Sequence, residues 1–207
     1  MAAYALSSGG AAAVASRVMN SNHAKLLPSP EWAAHLHGDI LPAVTAGVGL
    51  GTDMLEIGPG PGAATEWLRH RVGRLAALEL DPSAAARLAG RYAGSNVEVA
   101  VGDAAAMPYP DGSFDSVGTF TMLHHVPTRA LQDRILAEAL RVLRPGGTLV
   151  GSDSLPSTDL HHFHVGDTYN PVEPAALLTR LQTLGFGAIT VTVNGTLLFS
   201  ARKEVTS

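Results

Sequence analysis

The sequence is 207 residues long, 46% hydrophobic and only 15% charged, with a formal net charge of −4 at pH 7. This length fits about one domain with a full hydrophobic core. The chain contains no cysteine, which excludes disulfides, thiolate metal sites and a cysteine nucleophile. It has no basic excess of the kind typical of nucleic-acid binders, and no apolar run approaches the roughly 20 residues that span a bilayer. We therefore expect a cytoplasmic protein with no nucleic-acid partner and no membrane span.

The N-terminal region divides into two parts. Residues 1–18 are rich in alanine, serine and glycine, and we expect them to form a mobile extension. A secretion signal is disfavoured because residues 7–10 interrupt the apolar run and the first basic residue is Arg17. Residues 19–48 have a broken helical pattern in which Ser29 and Pro30 are typical of a helix start. This helical cap either closes a substrate pocket or simply covers one edge of a sheet.

A glycine-rich turn follows the first predicted strand. The apolar run 54–57 ends at three glycines in alternate positions, Gly58, Gly60 and Gly62, and a helical pattern begins directly after them. This strand, turn and helix are typical of a nucleotide-type α/β unit, in which bare backbone lies against the ligand. Two prolines in the turn lack an N–H group and so weaken it as a pyrophosphate site. Glu56 would also repel an anion and attract an amine.

Carboxylates end the next two predicted strands. Glu79 ends the apolar strand 74–80 and lies about twenty residues after the first glycine, the spacing at which an acid reaches ribose hydroxyls. The alternative is a solvated strand end. Asp81 is expected to cap the following helix. Asp103 follows the third strand, 96–101, and there it can accept a hydrogen bond from an exocyclic amine.

Strands and helices continue to alternate along the rest of the chain. A fourth strand is predicted over 113–121, a helix over 129–143 and a fifth strand over 148–152. An irregular, histidine-rich loop follows, and then a helix over 173–184. Two final strands, 188–193 and 196–201, flank Asn194-Gly195, a strong hairpin signal. The pattern predicts an α/β fold with a doubly wound, mostly parallel sheet.

Taken together, these motifs resemble the class I S-adenosylmethionine-dependent methyltransferases, particularly the small-molecule branch that includes quinone and sterol methylases. The resemblance runs from about residue 53 to residue 151. It implies a Rossmann-like methyltransferase fold whose seven strands have the order 3-2-1-4-5-7-6, with the last strand antiparallel. The motifs that carry it are LEIGPGPG at 55–62, Glu79, Gly102-Asp103-Ala104, PYPDGSFD at 108–115, LHHV at 123–126 and RVLRPGG at 141–147.

The same resemblance implies a cofactor site for S-adenosyl-L-methionine, with S-adenosyl-L-homocysteine as product. Glu56 and the Gly58–Gly62 loop would hold the methionine end, and Glu79 would bind the ribose hydroxyls. Asp103 would meet the adenine amine. The remaining cofactor-binding residues implied are Ala104, whose N–H would serve an adenine ring nitrogen, Leu80, and the pair Thr119 and Phe120, beside the methionine portion.

Two groups of histidines follow the cofactor motifs. His124 and His125 end the fourth strand, and we expect His124 to face the acceptor as a general base and His125 to be structural. The alternative is that both histidines only hold the turn. His161, His162, His164 and Asp167 lie in the irregular loop, where no helix or strand fixes their spacing. We expect that loop to line the acceptor pocket rather than to bind a metal.

The sequence thus predicts a methyltransferase that acts on a small-molecule or lipid-like acceptor. The alternatives are an NAD-dependent oxidoreductase and a non-catalytic S-adenosylmethionine-binding protein. Either a monomer or a homodimer is expected. Residues 19–207 are predicted to form a single methyltransferase domain, divided into the cap at 19–48, a cofactor-binding core at 53–152, a substrate-side loop at 153–172, and a C-terminal helix and hairpin at 173–207.

Overall fold

The structure is a computed structural model that describes residues 20–205, so the predicted extension at 1–18 lies outside the described residues. Buried apolar runs bounded by turns form most of its strands, as expected for a sheet covered on both faces, whereas the two strands at the edges of the sheet are more exposed. The seven strands are β1 (Asp53–Ile57), β2 (Arg74–Glu79), β3 (Val97–Val101), β4 (Phe114–Phe120), β5 (Leu143–Asp153), β6 (Phe186–Val193) and β7 (Leu197–Lys203).

Helices alternate with these strands, and several begin at a side-chain cap or a proline, which favour helix starts. Thr128 Oγ1, for example, accepts a hydrogen bond from Leu131 N at the start of the longest described helix. The α-helices are α1 (Ser21–Leu26), α2 (Pro30–His35), α3 (Leu41–Thr45), α4 (Ala63–Leu68), α5 (Pro82–Arg91), α6 (Arg129–Val142), α7 (Thr158–Phe163) and α8 (Pro174–Leu184). A π-helical turn, Leu36–Ile40, joins α2 to α3, and 3₁₀ turns occur at Ala104–Ala106 and Leu123–His125.

The strands form one sheet in the order β3-β2-β1-β4-β5-β7-β6. Strands β1 to β5 pair in parallel, and β7 is antiparallel to both β5 and β6. The predicted order and the antiparallel last strand are therefore confirmed. Because β1 to β5 are parallel, their carboxyl ends meet at one edge of the sheet, where ligands bind in this architecture.

Two apolar layers hold the sheet between helices. On one face, α6 and α8 bury Leu136, Leu181 and their neighbours against β1, β4 and β5. On the other face, α4, α5 and the N-terminal cap bury residues such as Leu68 and Leu41. Within residues 20–205, no helix combines the length and the apolar character needed to cross a bilayer.

Some element boundaries differ from those predicted. Helix α6 does end before Arg144, but the chain enters β5 at once, because Leu143 already pairs with Phe114. Strand β5 is therefore longer than the predicted 148–152. The loop after it contains the short helix α7, which Ser157 caps by accepting a hydrogen bond from Leu160 N.

Candidate active site

The glycine loop leaves β1 at the edge where the parallel strands end. Gly58 N donates to Leu78 O of β2, and Gly58, Gly60 and Gly62 all have positive φ. A Cβ on Gly58 would lie 2.5 Å from Met122 Cγ, and one on Gly62 would lie 2.6 Å from Leu88 Cδ1. At Gly60, by contrast, a Cβ would meet nothing within 4 Å. The loop thus packs tightly at its ends and exposes bare backbone at its centre.

Glu79 connects the end of β2 to this loop. Its Oε2 accepts a 3.1 Å hydrogen bond from Gly60 N, and its Oε1 accepts one of 3.0 Å from Asp81 N. Asp81 caps α5 by accepting from the backbone N–H groups of residues 83 and 84, as predicted. The next residue, Leu80, has a large apolar side chain that is 54% exposed. The structure therefore brings the predicted ribose-binding carboxylate into direct contact with the glycine loop.

Glu56 lies behind the loop and is only 2% exposed. Thr65 Oγ1 of α4 donates a 2.6 Å hydrogen bond to its Oε2. Burial raises the pKa of Glu56 to about 7; the Thr65 hydrogen bond opposes this shift, and the charge of Glu79 adds to it. A buried carboxylate with this pKa is poised to become fully charged when a cation, such as an amine, approaches it.

Asp103 occupies the corresponding position after β3. It is exposed, and its Oδ1 accepts a 2.8 Å hydrogen bond from Ala105 N, which starts the 3₁₀ turn at Ala104. One carboxylate oxygen is thus used to shape the turn. Asp103 and Glu79 end neighbouring strands, because β3 pairs with β2.

The end of β4 carries buried polar groups that a ligand can satisfy. Thr119 and Phe120 are 1% and 7% exposed. Within residues 20–205, the hydroxyls of Thr119 and of Ser152, near the ends of β4 and β5, are buried without a hydrogen-bond partner. Thr121 follows with a φ of 52°, a left-handed conformation that is unusual for a β-branched residue. Such strain clusters at functional sites, and no local sequence pattern indicates it.

A buried carboxylate–imidazole pair lies beyond β4. His124 Nδ1 is 2.5 Å from Asp153 Oδ1, and the exposed fractions of the two residues are 3% and 0%. Asp153 Oδ2 also accepts from His124 N at 3.3 Å, and Oδ1 accepts from Ser154 N at 2.7 Å. Asp153 ends β5, so two neighbouring strands position the pair. The sequence analysis identified His124 but not Asp153.

The histidine-rich loop folds back onto this pair. His164 is buried, and its ring lies 5.0 Å from that of His124, 5.3 Å from that of His125 and 4.4 Å from that of Tyr169, which it stacks against. Asn170 N donates to His124 O at 2.8 Å, which fixes the loop. His161 and His162 are exposed on α7. The fold therefore groups His164 with His124 and His125 rather than with its neighbours in sequence.

A cavity of about 1010 Å³ lies elsewhere, between the cap segment at 43–51 and strands β5, β6 and β7. None of the predicted site residues lines it, and its charged lining residues are Asp115 and Arg144, which are paired with each other, and Arg202. The edge where β1 to β5 end has the opposite character, with convergent carboxylates, a bare glycine loop and a buried imidazole. We therefore place the candidate active site at that edge. Such a site is suited to holding a cationic nucleoside beside a polar acceptor.

Comparison with known proteins agrees with the methyltransferase resemblance of the sequence motifs. Residues 55–151 match the sequence family described as "Methyltransferase domain". A probable S-adenosylmethionine-dependent methyltransferase of Mycolicibacterium smegmatis is 32% identical over 143 residues, covering 66% of this chain and 52% of the relative. The ubiquinone/menaquinone biosynthesis C-methyltransferase UbiE of Hahella chejuensis is 36% identical over 112 residues, covering 51% of this chain and 44% of the relative. This chain thus spans about half the length of these curated relatives.

Solved structures share the fold at much lower sequence identity. The PH0226 protein of Pyrococcus horikoshii superposes with a TM-score of 0.71, covering 86% of this chain and 94% of that one, at 16% identity. At this identity the likeness shows the fold alone. The family match and the curated relatives carry the functional comparison.

Proposed function

Since the core of this chain, residues 55–151, belongs to the class I S-adenosylmethionine-dependent methyltransferases, we propose that the protein transfers a methyl group to a small-molecule or lipid-like acceptor. One observation carries the proposal: the Gly60–Glu79 contact and the His124–Asp153 pair lie at the edge where the parallel strands end. The first joins the groups suited to a nucleoside, and the second supplies a polar group for an acceptor.

S-adenosylmethionine is the cofactor of this family, and the residues present fit it. Gly60 leaves open space where a side chain would project, and Glu56 is a buried carboxylate whose pKa of about 7 suits a nearby ammonium group. The unpartnered hydroxyl of Thr119 adds a polar group near the end of β4. When bound, the cofactor supplies an electrophilic methyl group on a sulfonium.

Each cofactor-binding residue then has a distinct role in the proposal. Glu56 and the Gly58–Gly62 loop hold the methionine portion, with Thr119 and Phe120 beside it. Glu79, fixed by Gly60 N and Asp81 N, binds the ribose hydroxyls. Asp103 retains one carboxylate oxygen for the adenine amine. The Ala104 N–H serves a ring nitrogen, and Leu80 supplies apolar surface.

On the acceptor side, we assign His124 the role of general base. Asp153 holds Nδ1 of the ring, so the lone pair of the neutral imidazole lies on Nε2. A carboxylate in this position also stabilises the imidazolium that forms when the ring takes up a proton. Nε2 then accepts the proton of a hydroxyl, a phenol or an acidic carbon as the acceptor becomes methylated. The chain's other task is to align the acceptor and to exclude water.

The class of acceptor is inferred from the name of a relative and from the net charge of the chain. The UbiE relative is named for quinone biosynthesis, and that name favours a small, partly apolar acceptor. The net charge of −4 disfavours a nucleic acid.

An NAD-dependent oxidoreductase is less well supported, because Pro59 and Pro61 reduce the number of backbone N–H donors available to a pyrophosphate. For a non-catalytic S-adenosylmethionine-binding protein, the His124–Asp153 pair would serve only to hold the turn after β4.

A product screen tests the proposal. The purified protein is incubated with S-adenosylmethionine that carries an isotopically labelled methyl group, together with pools of phenols, quinols, amines and fatty acids. Mass spectrometry should detect a labelled product in at least one pool and S-adenosylhomocysteine formed in equal amount. A His124→Ala variant, which retains the cofactor site, is the matched control and should form far less product. Absence of labelled product from every pool would favour a non-catalytic protein.

A further inference from the structure

Three histidine rings meet on the acceptor side of the site. His124 and His125 come from the 3₁₀ turn after β4, and His164 comes from the C-terminal end of α7. One ring nitrogen from each lies within 4.8 Å of those of the other two. The centroids of the His124 and His125 rings are 4.1 Å apart. Because these residues lie on two distant segments, the fold rather than local spacing assembles the histidine cluster.

Two of the rings are oriented as metal-binding histidines are. His124 Nδ1 contacts the buried carboxylate of Asp153 at 2.5 Å, and His164 Nδ1 contacts the carbonyl oxygen of Leu160 at 2.6 Å. A carbonyl oxygen only accepts, so Nδ1 of His164 donates, and the lone pair of the neutral ring lies on Nε2. Metal-binding histidines almost always donate their other ring N–H to a carboxylate or a backbone carbonyl.

The surroundings of the cluster favour a cation. His124 and His164 are each 3% exposed, so the cluster is largely shielded from water. The buried carboxylate of Asp153 also places a negative charge behind the cluster, which offsets part of the charge of a cation.

We infer that His124, His125 and His164 bind one divalent transition-metal ion, for which Zn²⁺ is the best match. Imidazole ligands suit zinc and its neighbours in the first transition row, whereas Mg²⁺ and Ca²⁺ prefer oxygen. Zn–N bonds of about 2.1 Å place tetrahedral ligands about 3.4 Å apart, so the rings need to close by roughly 1 Å. Three protein ligands leave a fourth position open, as in catalytic zinc sites.

Binding of the ion is independent of the proposed function. Its chemical role, however, rests on that proposal. An acceptor hydroxyl, phenol or enol would occupy the open position, where the ion would lower the pKa of that oxygen so that its proton leaves to solvent before methyl transfer. In the metal-loaded protein, Nε2 of His124 is a ligand, so the ion replaces the ring in activating the acceptor. The inference also replaces the expectation from the sequence, which considered His161, His162, His164 and Asp167 and assigned no metal.

Calorimetry on untagged, chelator-stripped protein tests the inference. Titration with Zn²⁺ should show one equivalent bound with micromolar or tighter affinity. His125→Ala and His164→Gln should each weaken binding at least tenfold, and Asp153→Asn should weaken it about 10- to 100-fold through loss of the supporting carboxylate. His161→Ala and His162→Ala are the matched controls, because both residues are exposed on α7, and they should bind Zn²⁺ as the parent does.

Absence of stoichiometric binding would overturn the inference, as would Zn²⁺ binding that survives both His125→Ala and His164→Gln. His125 is only partly buried, so its variant remains informative if His164→Gln fails to fold. Titration of the same samples with S-adenosylhomocysteine separates the two proposals. Nucleoside binding without Zn²⁺ binding contradicts the metal site alone, whereas Zn²⁺ binding without nucleoside binding contradicts the proposed function alone.

Discussion

Gly60 N donates a 3.1 Å hydrogen bond to Glu79 Oε2, so the carboxylate that ends β2 is already attached to the glycine loop. Its other oxygen is held by Asp81 N, at the start of the cap of α5. Backbone groups on both sides thus fix the carboxylate before any ligand binds. A site that is organised in advance loses less free energy to ordering when the ligand arrives.

This contact makes Glu79 the first residue to test. Glu79→Ala should weaken S-adenosylmethionine binding by about 1.5–3 kcal/mol, the range for hydrogen bonds to a charged group. Asp103→Ala, the matched control, should cost less, because its expected partner is a neutral amine. Calorimetric titration measures both. Affinity equal to that of the parent in Glu79→Ala would mean that the carboxylate is only a solvated strand end.

Glu56 makes stability depend on pH. Its pKa is about 7 in the folded protein, against 4.5 for an unperturbed glutamate, so between pH 4.5 and about 7 the folded state holds the extra proton. Stability therefore falls as pH rises through this window, by about 3 kcal/mol in total, relative to Glu56→Gln. Urea unfolding of the parent and the variant at pH 5, 6, 7 and 8 measures the difference. A difference that does not change with pH would contradict the raised pKa.

Two glycines of the loop should respond differently to alanine. At Gly62, φ is 88° and an added Cβ would lie 2.6 Å from Leu88 Cδ1, so strain and overpacking combine. At Gly60, φ is 53° with open space around the Cβ position, so only backbone strain applies. We expect Gly62→Ala to lower the free energy of unfolding by about 2–4 kcal/mol and Gly60→Ala by about 1–2 kcal/mol. Urea unfolding without ligand gives both values, and equal losses would refute the steric argument.

The sequence predicted the sheet because its strands are short apolar runs separated by strong helix and turn signals. The strand order was implied by the motif resemblance, and the carboxyl-end rule located Glu79 and Asp103. The sequence predicts β5 only from residue 148, because the proline and glycines at 145–147 are typical of a turn, and so it misses the start of the strand at Leu143. Pairing of Leu143 with Phe114 is a tertiary effect that local propensity does not contain.

The acceptor side was less predictable. Asp153 lies far from His124 in sequence, and an aspartate that ends a strand carries no signal for a particular partner. His164 joins the cluster only because residues 153–170 fold back over the end of β4. The left-handed conformation of Thr121 also has no local sequence signature. Contacts between distant segments determine each of these features, so spacing rules do not identify them.

The His124–Asp153 pair predicts how the catalytic rate depends on its two members. In chelator-stripped protein, His124→Ala should lower kcat by roughly 10²–10⁴-fold, the usual contribution of positioned proton transfer, while cofactor affinity stays nearly constant. Asp153→Asn should also lower kcat, because the amide no longer orients the ring as the carboxylate does. Steady-state kinetics with the acceptor from the product screen supplies the values. Small, equal losses would mean that alignment alone drives transfer.

His125 provides the contrast, since the sequence predicts a structural role for it. As a partly buried member of the turn, it should affect stability more than cofactor binding when changed to alanine. Thermal unfolding and cofactor titration of His125→Ala and His124→Ala, compared side by side, separate these effects. A reversal of the two phenotypes would mean that the pair was assigned the wrong way round.

The central claim is that the edge where β1 to β5 end binds S-adenosylmethionine, and direct calorimetric titration tests it. Purified protein is titrated in turn with S-adenosylmethionine, S-adenosylhomocysteine and NADH. Dissociation constants in the micromolar range, about −8 kcal/mol, are expected for the first two ligands, with no heat of binding from NADH. Binding of NADH without a response to either nucleoside would contradict the account.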